Sequence, residues 1–198
     1  MAGMSLQPLA FGWPLFVFPV HVVFLEFVID PACSIVFEAE RSDAHVMDRP
    51  PRPPAQRLFT LRAVVLGLGL GAMVLLAVAL VYGLALGAGR GEGSARAMAF
   101  ATLVLGNLGL ILVNRSDQLT LWEALGHENR ALWWIVGGTL AALAAAIYVP
   151  DIAQVFRFEP VTTRDAASAA VAGFASVLWY DAFKVLARRP DPTSPSTR

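Results

Sequence analysis

The sequence predicts an all-α membrane protein, a bundle of about five transmembrane helices, and two observations lead to that prediction. Hydrophobic residues make up 57% of the 198 residues, charged residues only 15%, and the mean hydropathy is +0.60. Soluble domains carry about 25% charged residues, so this composition is typical of a protein in lipid. The hydrophobic residues also form long segments, and a helix needs about 20 of them to cross the hydrocarbon core.

Five segments have the length and composition of membrane spans, and polar stretches separate them. The predicted spans cover residues 14–37, 63–88, 97–113, 131–149 and 166–187, all within one transmembrane domain of residues 1–189. The tail at 190–198 is rich in Pro, Ser and Thr, so we expect it to be disordered. The first span differs from the other four because prolines and acidic residues interrupt it.

The basic residues predict which side of the membrane each loop faces, because Lys and Arg accumulate in cytoplasmic loops. With five crossings, eleven of the fifteen basic residues fall on one side: in the loops after the first and third spans and at the C-terminal end. This distribution predicts a cytoplasmic C-terminus and an outer N-terminus. The partner that the sequence predicts directly is the lipid bilayer, and the net charge of zero gives no support to a nucleic-acid partner.

Several kinds of site are excluded by the sequence. Cys33 is the only cysteine, so an internal disulfide is impossible, and no His/Cys pattern has the spacing of a zinc or redox motif. The string GLGLG at 67–71 lies inside an apolar helix and does not follow a strand, so it is not a dinucleotide-binding loop. We predict no catalytic residue and no bound cofactor within this chain.

Glu26 and Asp30 are the most informative residues, because a carboxylate inside a bilayer costs several kcal/mol unless a cation, a proton or water compensates it. At a separation of four residues they share one helix face, about 5–6 Å apart at Cβ. Pro31 has no N–H to donate and disfavours helix at Asp30, which frees backbone carbonyls nearby. Carboxylates and freed carbonyls are ligands for a hard cation.

Simpler explanations remain beside this hypothesis. The first segment can be a shorter, broken helix whose two acids sit at the water interface, and His21 is most simply an interfacial residue. Asn107, in the middle of the third span, can add an amide oxygen to the cation site or can hydrogen-bond between helices. The spacing alone does not separate these two roles of Asn107.

The stretch PVHVVFLEFVIDPACSIVFEAE at 19–40, followed by VMDRPPRPP at 46–54, resembles the sixth transmembrane helix and next cytoplasmic loop of cation-transporting P-type ATPases, the calcium-pump-like group. The resemblance implies that Glu26 and Asp30 are cation ligands on a partly unwound helix. It also places Asn107 about where calcium pumps have an acidic ligand in their eighth helix. This sequence has Glu26 where the family commonly has asparagine, and Pro31 where it has glycine, so the cation can be calcium or another metal ion.

The remaining four spans are similar to the seventh to tenth helices of these pumps. The family phosphorylates an aspartate within DKTGT and binds ATP in a cytoplasmic domain, and this sequence contains neither feature. The resemblance therefore implies an ion-binding C-terminal part of a pump, in the plasma membrane, that cannot hydrolyse ATP alone. Its partner would be the N-terminal part of such an ATPase, or a full-length pump that it regulates or stabilises without catalysis. A free-standing cation carrier, or a gene fragment without function, would also be compatible with these residues.

Overall fold

The computed structural model describes residues 4, 7, 10–38, 61–114 and 130–187, and within these ranges it has six helices and no strand. The helices are α1 (Pro19–Glu38), α2 (Leu61–Gly87), α3 (Glu92–Asn114), α4 (Arg130–Tyr148), α5 (Pro150–Val155) and α6 (Thr163–Ala187). This architecture confirms the predicted all-α bundle. The stretch VMDRPPRPP at 46–54 and the predicted disordered tail at 190–198 lie outside the described residues.

Three of the described helices are long and apolar enough to cross a membrane: Val64–Gly87, Glu92–Asn114 and Ala131–Tyr148. The helices α1 and α6 contain 20 and 25 residues. At 1.5 Å per residue, about 20 residues cover the roughly 30 Å of a hydrocarbon core, so both have sufficient length. The crossing of these two helices, and with it the count of five spans, stays a prediction.

Helix α3 lies at the centre of the bundle, because it packs against α1, α2, α4 and α6. Seventeen of its 23 residues are buried, most of them small or aliphatic. It crosses α6 closely: a Cβ on Gly173 would lie 2.8 Å from the carbonyl oxygen of Thr102 and 3.2 Å from the amide nitrogen of Gly106. Small residues on both helices therefore let the two backbones touch, as is common in membrane bundles.

Helix α2 has one buried and one exposed face, and both are apolar. Its buried face includes Val74, Val78 and Tyr82, which belong to the hydrophobic core. Its exposed side chains include leucines along the whole length of the helix: Leu61, Leu68, Leu76, Leu80 and Leu84. An apolar surface of this kind suits contact with lipid acyl chains, because they are as apolar as leucine.

The turn from α2 to α3 is built by Gly89, whose φ of +75° lies in the left-handed region that glycine adopts without strain. The amide of Arg90 donates to the carbonyl of Ala85 and the amide of Gly89 donates to the carbonyl of Leu86, both over 3.0 Å. This pair of bonds is the Schellman arrangement that ends many helices. Arg90 also forms an ion pair of 2.8 Å with Asp165, which joins the turn to the start of α6.

A segment without regular secondary structure, residues 13–18, leads into α1 and packs against the last turns of α2. The Tyr82 hydroxyl, fully buried, donates to the carbonyl of Pro14 over 3.0 Å. The indole of Trp13 covers Gly83 so closely that a Cβ there would lie 2.8 Å from the ring. The absence of a side chain at Gly83 therefore lets the Trp13 ring pack directly on the backbone of α2.

We expect Tyr82→Phe to lower the free energy of unfolding by about 1 kcal/mol, because the partly buried Pro14 carbonyl loses its donor while the ring is kept. Thermal or denaturant unfolding of the protein in detergent measures this difference. Tyr148→Phe is the matched control, since the Tyr148 side chain is exposed and should leave the midpoint unchanged. Equal midpoints for the two variants would contradict the assigned hydrogen bond.

Candidate cation site

Helix α1 has two distinct faces. His21, Leu25 and Ile29 are buried against the rest of the bundle. The opposite side, which we call the outer face of α1, consists of exposed residues at helical spacing: Val23, Glu26, Phe27, Asp30 and Ser34. The two carboxylates therefore share one helix face, as the sequence predicts, one turn apart.

The outer face of α1 suits neither lipid nor bulk water. Two carboxylates facing acyl chains would be costly, because charges in the bilayer interior face other protein or water. The same face also exposes Val23 and Phe27, and the Phe27 side chain is 76% exposed. An apolar stripe with two acids in it is typical of a helix face that packs against other helices.

Pro31 lies inside α1, and the helix continues through it to Glu38. The expected unwinding of this helix is thus absent from the described structure. The chemical effect of the proline is kept, however, because Pro31 has no N–H and the carbonyl of Phe27 loses its helical donor. A free carbonyl oxygen is therefore available on the helix between the two carboxylates, and carbonyl oxygens are ligands for hard cations.

Asn107 is half-buried on α3, next to the buried Gly106 and Leu108. It follows Phe100 by seven residues, close to two helical turns, so both residues lie on one side of α3. Phe100 contacts Phe24 of α1 at a centroid distance of 5.3 Å. The side of α3 with Asn107 thus faces α1, whereas the two carboxylates face away from α3. The structure does not bring the three predicted ligands together, and the described residues contain no cluster of three His, Cys, Asp or Glu side chains suited to a metal.

His21 is buried in the bundle in the first turn of α1, and its position at the membrane interface stays a prediction. Its Nδ1 accepts a hydrogen bond of 3.0 Å from the amide of Phe18, so in the neutral ring the proton lies on Nε2. Three phenylalanine rings surround the imidazole, with centroids 4.9 to 5.4 Å away: Phe100, Phe156 and Phe158. Nε2 has no hydrogen-bond partner among the described residues. This arrangement gives His21 a role in packing the start of α1.

A comparison with protein families decides what this bundle is. The family model described as "Cation transporting ATPase, C-terminus" matches residues 14–186, which includes all of the described helices from α1 to the end of α6 but for one residue. The chain belongs to this family. A search of the curated proteins finds no match. The resemblance that rests on residues 19–40 and 46–54 is thereby confirmed, and it extends over nearly the whole chain.

Membership in the family of cation-transporting ATPase C-termini has consequences for function. It makes this chain a membrane protein of the P-type ATPases, and it implies a transported cation. The apolar helices of the bundle agree with that setting. The assignment of Glu26, Asp30 and Asn107 as ligands stays a prediction, because family membership alone does not identify the residues that bind the ion.

Arg96 is a notable feature of this ATPase domain that sequence analysis missed. The third span was predicted to start at residue 97, with Arg96 in the preceding loop, but α3 starts at Glu92 and Arg96 is buried within it. Its guanidinium donates to carbonyls of two distant segments. The sequence contained one indication of this burial: Arg96 stands among small residues that continue into the apolar part of α3. An arginine at such a position needs hydrogen-bond acceptors to be buried.

Proposed function

We propose that this chain is the membrane-embedded, ion-binding C-terminal part of a cation-translocating P-type ATPase, in which Glu26 and Asp30 bind the transported cation. The observation that supports the proposal is the outer face of α1, where two carboxylates lie one turn apart between exposed apolar side chains. Their oxygens and the free carbonyl of Phe27 are hard oxygen ligands. Calcium takes about 6–8 such ligands, so α1 supplies part of a coordination shell.

The rest of the shell comes, in this proposal, from helices that pack on the outer face of α1. Those helices belong to the N-terminal part of the ATPase, which also carries the phosphorylated aspartate and the ATP-binding domain. ATP hydrolysis is therefore a property of the assembled pump, and these 198 residues do not hydrolyse ATP by themselves. Packing of the added helices against Val23 and Phe27 would replace lipid contacts by close van der Waals contacts and so stabilise the assembly.

Asn107 is proposed as a further, amide ligand of the cation. Because it lies on the side of α3 that faces α1, while the carboxylates face away, α1 has to rotate about its axis before the three groups meet. The proposal therefore assigns Asn107 to a conformation of the pump other than the one described. Asn107 forms no side-chain hydrogen bond within the described part of the chain, so its amide is available for this role.

The proposed setting is the plasma membrane, with the C-terminus in the cytoplasm. The support for this orientation is the distribution of Lys and Arg, which predicts that the loops after the first and third spans are cytoplasmic. The turn from α2 to α3 and the segment between α5 and α6 then lie on the outer side.

Reconstitution of the assembled pump tests the proposal. The chain is co-expressed with the N-terminal part of a calcium-pump-like ATPase that ends after its fifth helix, and ATP hydrolysis in membranes is measured with Ca²⁺ and with Mn²⁺. We expect cation-stimulated hydrolysis that neither part shows alone. The same N-terminal part with its own C-terminal part is the positive control.

The result also separates the proposal from the regulatory role. If the chain only docks on a complete pump, it should alter the activity of a full-length ATPase, and Glu26→Gln with Asp30→Asn should leave that effect intact. Good expression of both parts without any stimulated hydrolysis, while the positive control is active, would count against the proposed function.

A further inference from the structure

We propose that Arg96 is a positioning residue that sets the depth and rotation of α1, and through them the location of Glu26 and Asp30. The importance of that location rests on the proposed function, whereas the mechanical role of Arg96 does not. Three features of the structure support this proposal: the hydrogen bonds of the buried Arg96 guanidinium, its contact with the Phe18 ring, and the strained backbone of Arg157, whose carbonyl accepts one of those hydrogen bonds.

Arg96 connects three parts of the chain that are distant in sequence. From the first turns of α3, its Nη1 donates to the carbonyl of Arg157 over 2.7 Å, and its Nη2 donates to the carbonyl of Leu15 over 3.2 Å. Its side chain is only 7% exposed, and its nearest carboxylate, that of Glu92, lies 4.0 Å away. A buried cation needs such acceptors, so the two carbonyls are held in place by the charge that they solvate.

Phe18 is the last residue before α1, and two guanidinium groups contact its ring. The Cζ of Arg96 is 4.9 Å from the ring centroid, and the Cζ of Arg157 is 4.7 Å from it. Both distances are within the range of cation–π attraction. The amide of Phe18 also donates to Nδ1 of His21 in the first turn of α1. Arg96 thus holds the residue from which α1 starts, directly through its ring and indirectly through Leu15.

Arg157, whose carbonyl accepts the hydrogen bond from Arg96, has a strained backbone conformation. It has a φ of +54°, a left-handed conformation that is unfavourable for a residue with a Cβ. It ends α5 in a Schellman arrangement, in which the amide of Phe158 donates to Ala153 over 2.8 Å and glycine is the usual residue at this position. Strain of this kind persists only where surrounding contacts hold it. Here the Arg157 carbonyl accepts from Arg96 and its side chain covers Phe18.

The consequence for the cation site follows from helix geometry. Glu26 lies eight residues after Phe18 along a continuous helix, a distance of about 12 Å. Packing holds only one face of α1, because its outer face is exposed. The contacts of α1 with α3 and α4 limit sideways movement of the helix. The fixed position of Phe18 then determines how far α1 can slide along its axis and how far it can rotate about it. Without Arg96, we expect both carboxylates to move together with the helix.

Distance measurement between spin labels on the full chain in lipid nanodiscs tests this inference. In a Cys33→Ser background, one label pair joins α1 to α6 through Ser34→Cys and Ala175→Cys, all at positions within the described helices. A reference pair joins α2 to α6 through Leu76→Cys and Ala175→Cys. We expect Arg96→Met to broaden the α1–α6 distance distribution and shift its mean, by up to about 1.5 Å for each residue of helix sliding, while the α2–α6 distribution stays unchanged.

Further variants keep the test decisive if Arg96→Met does not fold. Arg96→Lys keeps the charge but lacks the planar fork that reaches two carbonyls, so it should give a partial shift. Phe18→Leu removes the ring and keeps both hydrogen bonds, and it should move only the α1 pair. Arg164→Met is the control, because Arg164 is an exposed arginine in the first turn of α6 and should change neither distance.

Two results would overturn the inference. One is an unchanged α1–α6 distribution in Arg96→Met and Phe18→Leu, which would mean that packing alone positions α1. The other is an equal change in both label pairs, which would make Arg96 a general support of the bundle. Because the distances are measured without added cation, a failure of cation binding would bear on the proposed function and leave this inference standing.

Discussion

Glu26→Gln is expected to abolish cation-stimulated ATP hydrolysis in the assembled pump at cation concentrations that saturate the original protein. The substitution keeps the size of the side chain and removes its negative charge. Once helices cover the outer face of α1, a unit negative charge about 4 Å away contributes about 4 kcal/mol for each positive charge of the cation at an effective dielectric constant near 20, so the affinity for Ca²⁺ should fall by roughly a thousandfold or more. The measurement is ATP hydrolysis against cation concentration in membranes that contain both parts of the ATPase.

Two matched controls lie on the same chain. Glu38 is the last residue of α1 and is exposed, and Glu159 is exposed between α5 and α6. Glu38→Gln removes the same charge about 12 Å beyond Asp30 along α1, and Glu159→Gln removes it on another segment, so stimulation should be kept. Asp30→Asn should resemble Glu26→Gln. Half-maximal stimulation by the same cation concentration in Glu26→Gln and in the original protein would rule out Glu26 as a ligand.

The sequence predicts the helices well because length and hydropathy are local properties. The first predicted span, 14–37, overlaps α1, but it also includes non-helical residues before Pro19. Hydropathy does not exclude them, because residues such as Phe16 and Phe18 are as apolar as those of a helix. The third span begins at residue 97 in the prediction and at Glu92 in the structure. Hydropathy ends a span at a charge, whereas the helix accommodates Arg96 because carbonyls of other segments solvate it.

The candidate site is predictable in one part only. The spacing of Glu26 and Asp30 places them on one face, since four residues are close to one helical turn, and the structure agrees. No pattern in α1 alone reveals that this face is directed away from α3, because that depends on which residues pack against other helices. For the same reason the sequence gives no distance from Asn107 to the carboxylates. It also does not reveal that His21 is buried among phenylalanines, because these come from α3 and from the segment between α5 and α6.

Gly173→Val is expected to have the largest effect on folding, because it separates the two helices that form the centre of the bundle. A Cβ at this position would lie 2.8 Å from the Thr102 carbonyl oxygen and 3.1 Å from the Cβ of Leu105. The Thr102 carbonyl is part of the α3 backbone, so it cannot move aside by a change of side-chain rotamer. Overpacking typically costs about 1–3 kcal/mol and more where the backbone has to shift, so we expect about 3 kcal/mol or more.

Gly138→Val in α4 is the matched control for this loss of stability, because a Cβ at Gly138 meets no atom within 4 Å. It introduces the same side chain into a helix and therefore corrects for the difference in helix propensity. Thermal unfolding in detergent should show a large fall in the midpoint for Gly173→Val and little change for Gly138→Val. Helices α3 and α6 form the most extensive contact in the bundle. Equal midpoints in the two variants would show that the close approach at Gly173 does not contribute to stability.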